Sequence, residues 1–283
     1  MKGKLVDVFS KKKLCGNGLT IFYDYESLSN VEMLALTQEM RQFESVFVKV
    51  DAFDSSIRAK IYTVEEELDF AGHPIIGLAA HLHEESGDEN PREWNINLNK
   101  KSVLVRTKKD DSCFYASMAQ GAPEYIRTLT DGEEEKVLSA LNLSASSLAP
   151  YLMEVISTGL PYLIVPIING IEDAEICVPN FELFLETLGA KFVYVFDIVS
   201  FEGRTWNNDG SIEDIATGSA AGPVAAFLTK NELVPYDSKI TISQGRFVGR
   251  PSRMNACVET SNGSVSNIWI SGDVVKVASI SFE

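Results

Sequence analysis

Residues 70–82 read FAGHPIIGLAAHL and residues 216–228 read ATGSAAGPVAAFL, and these two stretches decide the fold. Counted from Gly72 and from Gly218, both carry a pair of alanines at offsets seven and eight and a leucine at offset ten. Such a recurrence predicts two similar halves within one chain. Chance similarity between short segments rich in alanine and glycine is the alternative.

A helix built from such residues is small and apolar on every side, so it has no face suited to solvent. We therefore expect each stretch to form a central helix wrapped by a curved sheet, because small side chains let strands approach closely. The upstream context repeats as well, since a capped helix near Asn30 or Asn180 precedes an alternating strand and a hairpin. The sequence thus predicts an α+β fold of two pseudo-symmetric halves.

Capping signals mark where two further helices begin. Ser29 with Glu32, and Thr130 with Glu133, have the spacing of a capping box, in which each partner satisfies a free N–H group of the other. A helix is expected after Ser29 and another after Thr130.

A third helix and two strands follow from simpler patterns. Asn180 is expected to cap a helix that runs to Leu188, with Gly189 as its stop signal. Valines alternate with other residues over 46–50 and again over 193–195, which predicts strands there.

Composition and charge indicate a globular protein and exclude some kinds of partner. The chain has 283 residues, which is about two domains' worth at ~150 residues each. It is 45% hydrophobic, 10% aromatic and 23% charged, which is typical of a globular protein. Forty acidic and twenty-five basic residues give a net charge of −15, and that field repels phosphate backbones and anionic membranes. Neither nucleic acid nor a membrane is expected as a partner.

The cysteines and the amino terminus bear on the compartment. The four cysteines are widely spaced and form no CxxC pair, so neither a zinc site nor a disulfide framework is expected. The chain begins without the apolar core of a signal peptide, and no apolar run reaches the ~18 residues of a membrane span. A cytoplasmic protein with reduced thiols is expected.

The starts of the two central helices are candidate binding positions. The first N–H groups of a helix lack internal partners, and the helix dipole adds about half a positive charge there, so a carboxylate or phosphate binds well. One such start at Gly72 and another at Gly218 would form an anion site in a cleft between the halves if these are related by a pseudo-twofold axis. The alternative is that both glycines only permit tight turns.

Titratable residues lie close to the same segments. Glu44 has Phe43, Val46 and Phe47 nearby in sequence, and partial desolvation there would raise its pKa and suit it to proton transfer. A solvated glutamate at a strand end is the alternative, and the residues alone favour it. His73 begins one central helix. Asp214 stands four residues before Gly218, and a lone histidine or aspartate is usually structural.

Five motifs, taken in order, resemble those of the PhzF family of phenazine-biosynthesis isomerases, which has the diaminopimelate-epimerase fold. The resemblance covers essentially the whole chain. The motifs are Gly16-Asn17, FESVF at 43–47, FAGHPIIG at 70–77, EDIATGSA at 213–220 and QGRFVGRPS at 244–252.

The resemblance implies two pseudo-symmetric domains, each a β-barrel-like sheet around a central helix, with the active site in the cleft between them. We expect residues 1–115 together with a last strand at about 266–283 to form one half. Residues 116–265 would form the other. The resemblance also implies a homodimer that needs neither a metal nor an organic cofactor.

The resemblance further assigns catalytic roles. Glu44 matches the acidic residue that removes a proton and returns it during an isomerisation. His73 and Asp214 match residues that shape the site and assist proton movement. Because the resemblance also agrees with the anion site expected at the two helix starts, we expect Glu44 to be the catalytic acid/base.

Substrate-binding roles are implied in the same way. Gly72, Gly218 and Ser219 match the helix starts that hold the carboxylate of the substrate, which agrees with the anion site expected above. Asn17 belongs to the first motif and is expected to contact the substrate as well.

Some positions depart from the family pattern. Phe43 stands where a serine often precedes the glutamate, and Ile215 stands where a proline often follows the aspartate, so the substrate is left open. Cys15 lies in a Cys-Gly-Asn-Gly run like that of two-thiol epimerases. Those enzymes carry a thiol at the start of each central helix, where this chain has His73 and Thr217. A two-thiol racemase is therefore not expected.

The preferred hypothesis is a cofactor-independent isomerase that moves a proton on a small carboxylated metabolite by means of Glu44. A non-catalytic protein that binds a small anion, and a two-base epimerase, are the alternatives. No histidine metal site is expected, because His81 and His83 are two residues apart and point in different directions from a helix.

Overall fold

The computed structural model describes residues 1–51, 55–110, 113–261 and 264–282. Within these residues, no helix combines the length and the apolar composition that crossing a bilayer requires. The elements in chain order are β1 (Lys2–Val8), β2 (Asn17–Tyr23), α1 (Asn30–Met40), β3 (Glu44–Val50), β4 (Ile57–Thr63), β5 (Glu67–Leu68), α2 (Gly72–Ser86), β6 (Arg92–Asn97), β7 (Ser102–Asp110), β8 (Cys113–Ala119), β9 (Glu124–Thr128), α3 (Asp131–Ala140), β10 (Glu154–Ser157), β11 (Pro161–Ile167), α4 (Phe181–Thr187), β12 (Phe192–Asp197), β13 (Glu202–Arg204), α5 (Gly218–Lys230), β14 (Lys239–Gln244), β15 (Ser252–Ser261) and β16 (Ser264–Ser281).

The chain divides into two compact units. Unit 1 comprises Met1–Ala119 and Ser271–Glu283, and unit 2 comprises Gln120–Ile270. The boundaries expected from the sequence lie at 115 and 265, with the same return of the carboxyl-terminal strand to the first half.

Unit 1 is a closed barrel around a helix. β2 and β3 are parallel and joined through α1, β3 and β4 are antiparallel, and β4 and β6 are parallel and joined through α2. β6, β7 and β8 follow as antiparallel neighbours, and the carboxyl-terminal part of β16 pairs with β1 and closes an eight-stranded barrel. Helix α2 contacts β1, β2, β3, β6, β7 and β8, so strands surround it.

Unit 2 repeats this order of elements. β11 and β12 are parallel and joined through α4, β12 and β13 are antiparallel, and β13 and β14 are parallel and joined through α5. β14 and β15 form the following antiparallel pair, and α5 packs against β10, β11 and β15. The predicted α+β fold, with a curved sheet around a central helix in each half, is confirmed.

Small residues in the central helices are required by close packing. A Cβ atom added to Gly77 of α2 would lie 2.6 Å from a methyl group of Leu19 and 2.9 Å from one of Val8. In α5, a Cβ atom on Gly222 would lie 2.0 Å from the Gln120 Oε1 atom. All three distances are far inside van der Waals contact, so neither glycine can be replaced by a larger residue without displacing its surroundings.

The predicted capping boxes are present. The Ser29 hydroxyl accepts a hydrogen bond from the Glu32 backbone N–H at 3.3 Å, while the Glu32 carboxylate accepts one from the Ser29 backbone at 2.7 Å. Thr130 and Glu133 form the same arrangement at the start of α3. Because both partners of a capping box lie within one turn, the sequence spacing alone defines them.

The prediction that the Asn180 side chain caps α4 is wrong. Asn180 precedes α4, but its side chain makes no capping hydrogen bond, and its backbone is left-handed with φ at 55°. Asn180 tolerates that conformation better than most residues, so it turns the chain into the helix instead of capping it. Gly189, with φ at 78°, stops the helix as expected.

Candidate active site

The start of α2 is a buried, uncapped helix terminus. Its N-cap residue is Ala71, which is extended with φ at −149° and has no side-chain acceptor for the first N–H groups. Gly72 and His73 occupy the first two helical positions, and both are buried. Pro74 follows with no N–H to satisfy. The unfilled donors of the helix terminus are therefore those of Gly72 and His73.

Glu44 is placed against this helix start by the alternation of its strand. Phe47 of β3 belongs to a hydrophobic cluster with Met33 of α1 on one face of the sheet. Glu44 lies an odd number of residues away and therefore points to the opposite face. There the Glu44 Oε2 atom lies 3.0 Å from His73 Nδ1, with both side chains less than a tenth exposed. The solvated glutamate considered as an alternative is thus wrong.

His73 is a neutral imidazole in this environment. Burial lowers its pKa from 6.5 to about 3, against the weaker opposite effect of a hydrogen bond to the Gly18 backbone. Burial therefore favours an uncharged ring in the contact with Glu44. His73 Nε2 is buried and has no hydrogen-bond partner among the described residues.

Asn17 is brought to the same face of the sheet. It is the first residue of β2 and is fully buried. It lies two residues before Leu19, which pairs with Glu44 across the β2–β3 ladder. Since residues two apart on a strand share a face, Asn17 and Glu44 both face α2. Unit 1 therefore places Glu44 against the start of α2, at Gly72 and His73, and turns Asn17 to the same face of the sheet.

The start of α5 in unit 2 is uncapped for a different reason. Its N-cap residue is Thr217, a good capping type, yet its side chain makes no capping hydrogen bond. The Thr217 hydroxyl instead donates to Asp214 Oδ2 at 2.5 Å and accepts from Gln244 Nε2 at 3.0 Å. Gly218 and Ser219 occupy the first two helical positions without a side-chain cap. Unit 2 thus brings the predicted Asp214 to the same helix start.

Further residues that the sequence did not single out hold this second helix start. The Tyr162 hydroxyl lies 2.7 Å from the Ser219 hydroxyl, and Gln120 Nε2 donates to the Gly218 carbonyl at 2.8 Å. Thr158 in turn donates to Gln120 at 2.8 Å. Tyr162 belongs to β11, whereas Gln120 and Thr158 directly follow β8 and β10. No spacing in the sequence links them to residues 218 and 219.

The described residues contain two groups with the composition of a metal site, and neither includes a proposed site residue. They are His81 with Glu84 and Glu85, and Asp110 with Cys113 and Asp273. Lysines already approach both: Lys4 and Lys276 lie beside the two glutamates, and Lys11 beside the two aspartates.

The thiols do not support two-cysteine chemistry. All four cysteines are free, and none stands at the start of α2 or α5. Burial, with the nearby Asp273 carboxylate, raises the pKa of Cys113 to about 11, so it is a thiol at neutral pH. Cys15 is half-buried in the segment that leads into β2.

Comparison with known proteins identifies the family. The phenazine biosynthesis-like protein family (PhzC-PhzF) matches residues 6–279. A trans-2,3-dihydro-3-hydroxyanthranilate isomerase of Pseudomonas aeruginosa is 30% identical, over 95% of this chain and 94% of its own length. The chain therefore belongs to the phenazine biosynthesis-like, or PhzF, family, and it is an isomerase.

Solved structures agree with this assignment. The structure of a predicted epimerase from Pseudomonas aeruginosa matches with a TM-score of 0.94 and 41% identity, covering 99% of this chain and 98% of that one. A PhzF-family phenazine biosynthesis protein from Bacillus anthracis matches with a TM-score of 0.84 over 100% of this chain and 99% of that one. At 22% identity, the latter match supports the fold alone.

Proposed function

We propose that this isomerase moves a proton between two carbons of a small carboxylated ring metabolite, with Glu44 as the acid/base. Trans-2,3-dihydro-3-hydroxyanthranilate, the compound named for the relative from Pseudomonas aeruginosa, is the first candidate substrate. The observation that carries the proposal is the buried contact of Glu44 Oε2 with the neutral His73 ring, 3.0 Å apart at an uncapped helix start.

The reaction balances without any further reagent. The Glu44 carboxylate takes a proton from a ring carbon, and the electrons of that C–H bond move into the conjugated system of the substrate. The Glu44 carboxylic acid then returns the proton to another carbon, so the double bonds move and the enzyme is restored. Close placement of one carboxyl group over both carbons is what such a transfer requires.

The other residues would bind and orient the substrate. The N–H groups of Gly72 and His73 suit a carboxylate or developing negative charge, because they lack internal partners and lie at the positive end of the helix dipole. His73 Nε2 is buried without a hydrogen-bond partner among the described residues, and a hydroxyl or amino group of the substrate would supply that partner. The family resemblance supports Asp214, Gly218 and Ser219 as further contacts and Asn17 as a binding residue.

The test is proton NMR in heavy water with trans-2,3-dihydro-3-hydroxyanthranilate, comparing wild type with Glu44→Gln. We expect wild type to add deuterium to a ring carbon with movement of the double bonds. The Glu44→Gln variant should fold and bind but exchange more than ~100-fold more slowly, because general acid/base catalysis contributes about 10²–10⁴-fold.

Glu134→Gln is the matched control. Glu134 is another glutamate that is buried, at 6% exposure, and it accepts a hydrogen bond from the Met153 backbone. It lies outside the proposed machinery, so activity should persist in this variant. Equal activity of Glu44→Gln and wild type would refute the mechanism. Deuterium entering one carbon with inversion and no double-bond movement would show a two-base epimerase instead.

A further inference from the structure

A buried glutamine at the end of β14 has its whole hydrogen-bonding capacity in use. Gln244 is 1% exposed, and its Oε1 atom accepts from the Tyr194 hydroxyl at 2.9 Å and from the Thr217 N–H at 3.2 Å. Its Nε2 atom donates to the Asp214 carbonyl at 2.8 Å and to the Thr217 hydroxyl at 3.0 Å. Four bonds are what an amide of this size can make when it is enclosed on all sides.

The neighbours of Gln244 fix which way its amide points. Tyr194 is fully buried, and burial, reinforced by the Asp214 charge, raises its pKa well above 10, so its hydroxyl stays protonated and donates. The Thr217 N–H can only donate. Because both donors meet the same end of the amide, that end must be the oxygen, and the NH₂ group is directed at Asp214 and Thr217.

This orientation decides what the Thr217 hydroxyl does. A threonine at an N-cap position ordinarily accepts a hydrogen bond from the second or third N–H of the helix. Here the amide of Gln244 donates to that oxygen, and the hydroxyl proton is given to Asp214 Oδ2 at 2.5 Å. The hydroxyl is thus held on Asp214 and withheld from the helix.

We propose that Gln244 is a positioning residue for the Asp214 carboxylate and acts through the Thr217 hydroxyl. The inference rests on the proposed function, in which Asp214 contacts the substrate. Loss of the Gln244 donor frees the Thr217 hydroxyl to cap α5, and Asp214 then loses one of the contacts that hold its carboxylate, the hydrogen bond from Thr217. A buried amide suits this task because a glutamate would bring a second negative charge to Asp214.

The kinetic test uses Thr217→Val, Thr217→Ser and Gln244→Met with trans-2,3-dihydro-3-hydroxyanthranilate. Thr217→Val keeps the side-chain shape but removes the hydroxyl, and we expect kcat to fall by about 10- to 100-fold, as for a lost hydrogen bond to a charged group. KM should change by less than about 3-fold, because the loss is in orientation for the reaction. Thr217→Ser should keep kcat within about 3-fold.

A double variant tests whether Gln244 affects kcat through the Thr217 hydroxyl. If Gln244 acts through the hydroxyl, Thr217→Val/Gln244→Met should have nearly the same kcat as Thr217→Val alone. If the kcat losses of the two single variants multiply in the double variant, the proposal is overturned. If Gln244→Met fails to fold, the comparison of Thr217→Val with Thr217→Ser decides it, and equal kcat in those two variants overturns it.

Thr107→Val is the matched control for loss of a buried hydroxyl. Thr107 is 2% exposed and accepts a hydrogen bond from Trp94 Nε1 at 2.8 Å. It lies outside the proposed site, so its replacement should leave kcat unchanged. A loss of kcat in Thr217→Val no larger than in this control would show a merely structural role.

Crystal structures of wild type and Thr217→Ser/Gln244→Met, beside Thr217→Ser alone, test the geometry without any activity. In the double variant the serine hydroxyl oxygen at position 217 should leave Asp214 and lie within hydrogen-bond distance of the Ser219 or Ala220 N–H. An unchanged contact with Asp214 would overturn the proposal. If wild type fails to convert the substrate, the proposed function falls, and these structures still decide whether Gln244 directs the hydroxyl.

Discussion

Replacing Gly222 by alanine perturbs a crowded position of α5. The new Cβ atom would lie 2.0 Å from Gln120 Oε1 and 2.7 Å from Thr158 Oγ1, so the Gln120 side chain must move. Gln120 is itself held by two buried hydrogen bonds, one to the Gly218 carbonyl and one from Thr158, each 2.8 Å long. The substitution therefore disrupts both the packing and the hydrogen bonds around Gln120.

The expected cost follows from three contributions. Loss of the two hydrogen bonds costs about 1 kcal/mol each. Overpacking of a close-packed interior costs about 1–3 kcal/mol. Alanine in place of glycine stabilises the helix by about 1 kcal/mol, because alanine has the higher helix propensity. We expect Gly222→Ala to lower the free energy of unfolding by about 2–4 kcal/mol.

Urea denaturation followed by circular dichroism measures the change, with two companion variants. A Cβ atom on Gly132 of α3 would meet nothing within 4 Å, so Gly132→Ala should stabilise the protein by up to ~1 kcal/mol. In a Gln120→Ala background the clash with Gln120 is absent and only the Thr158 hydroxyl still has to move, so the cost of Gly222→Ala should shrink by more than half. A Gly222→Ala protein as stable as wild type would refute the reasoning.

Three further results are expected. Burial lowers the pKa of His81 to about 4, whereas an unfolded histidine titrates near 6.5. As the pH falls, the unfolded chain therefore binds the proton of His81 before the folded chain does. The free energy of unfolding should be unaffected by His81 above pH 6.5 and should fall toward pH 4 by about 1.4 kcal/mol per pH unit. In urea titrations at each pH, a His81→Gln variant should show a weaker dependence of this free energy on pH. Arg204→Met should cost about 3–5 kcal/mol in the same denaturation assay, because it leaves three backbone carbonyls and the Glu213 carboxylate, whose side chain is only 9% exposed, without the Arg204 donor. The exposed Arg106→Met should change stability by less than about 0.5 kcal/mol. Alkylation of Cys15, verified by mass spectrometry, should leave the proton exchange intact; loss of an exchange that Glu44→Gln retains would instead point to thiol chemistry.

The sequence alone determined the architecture to a large extent. The two alanine- and glycine-rich stretches predicted both central helices, and at Gly77 and Gly222 the surrounding atoms leave no room for a side chain. The boxes at Ser29 and Thr130 were predictable because their hydrogen bonds join residues three apart. Signals of this kind lie within a single turn of chain, so no tertiary information is needed to find them.

Part of the site was also within reach of the sequence. Glu44, His73 and Asp214 were identified from motifs near the helix starts, and the structure places all three beside those starts. The sequence could not decide whether Glu44 was solvated, because a shift of one residue in strand register would have turned it to the other face of the sheet.

Only the tertiary structure supplied the groups that hold these residues in place. The amide of Gln244 reaches Thr217 and Asp214, and Tyr162 reaches Ser219, across strands that are distant in sequence. Such side-chain hydrogen bonds follow no periodicity, because they depend on which strands become neighbours and in which register. The sequence therefore determined the helices and the candidate chemistry of this protein, whereas burial and strand pairing decided which polar atoms meet.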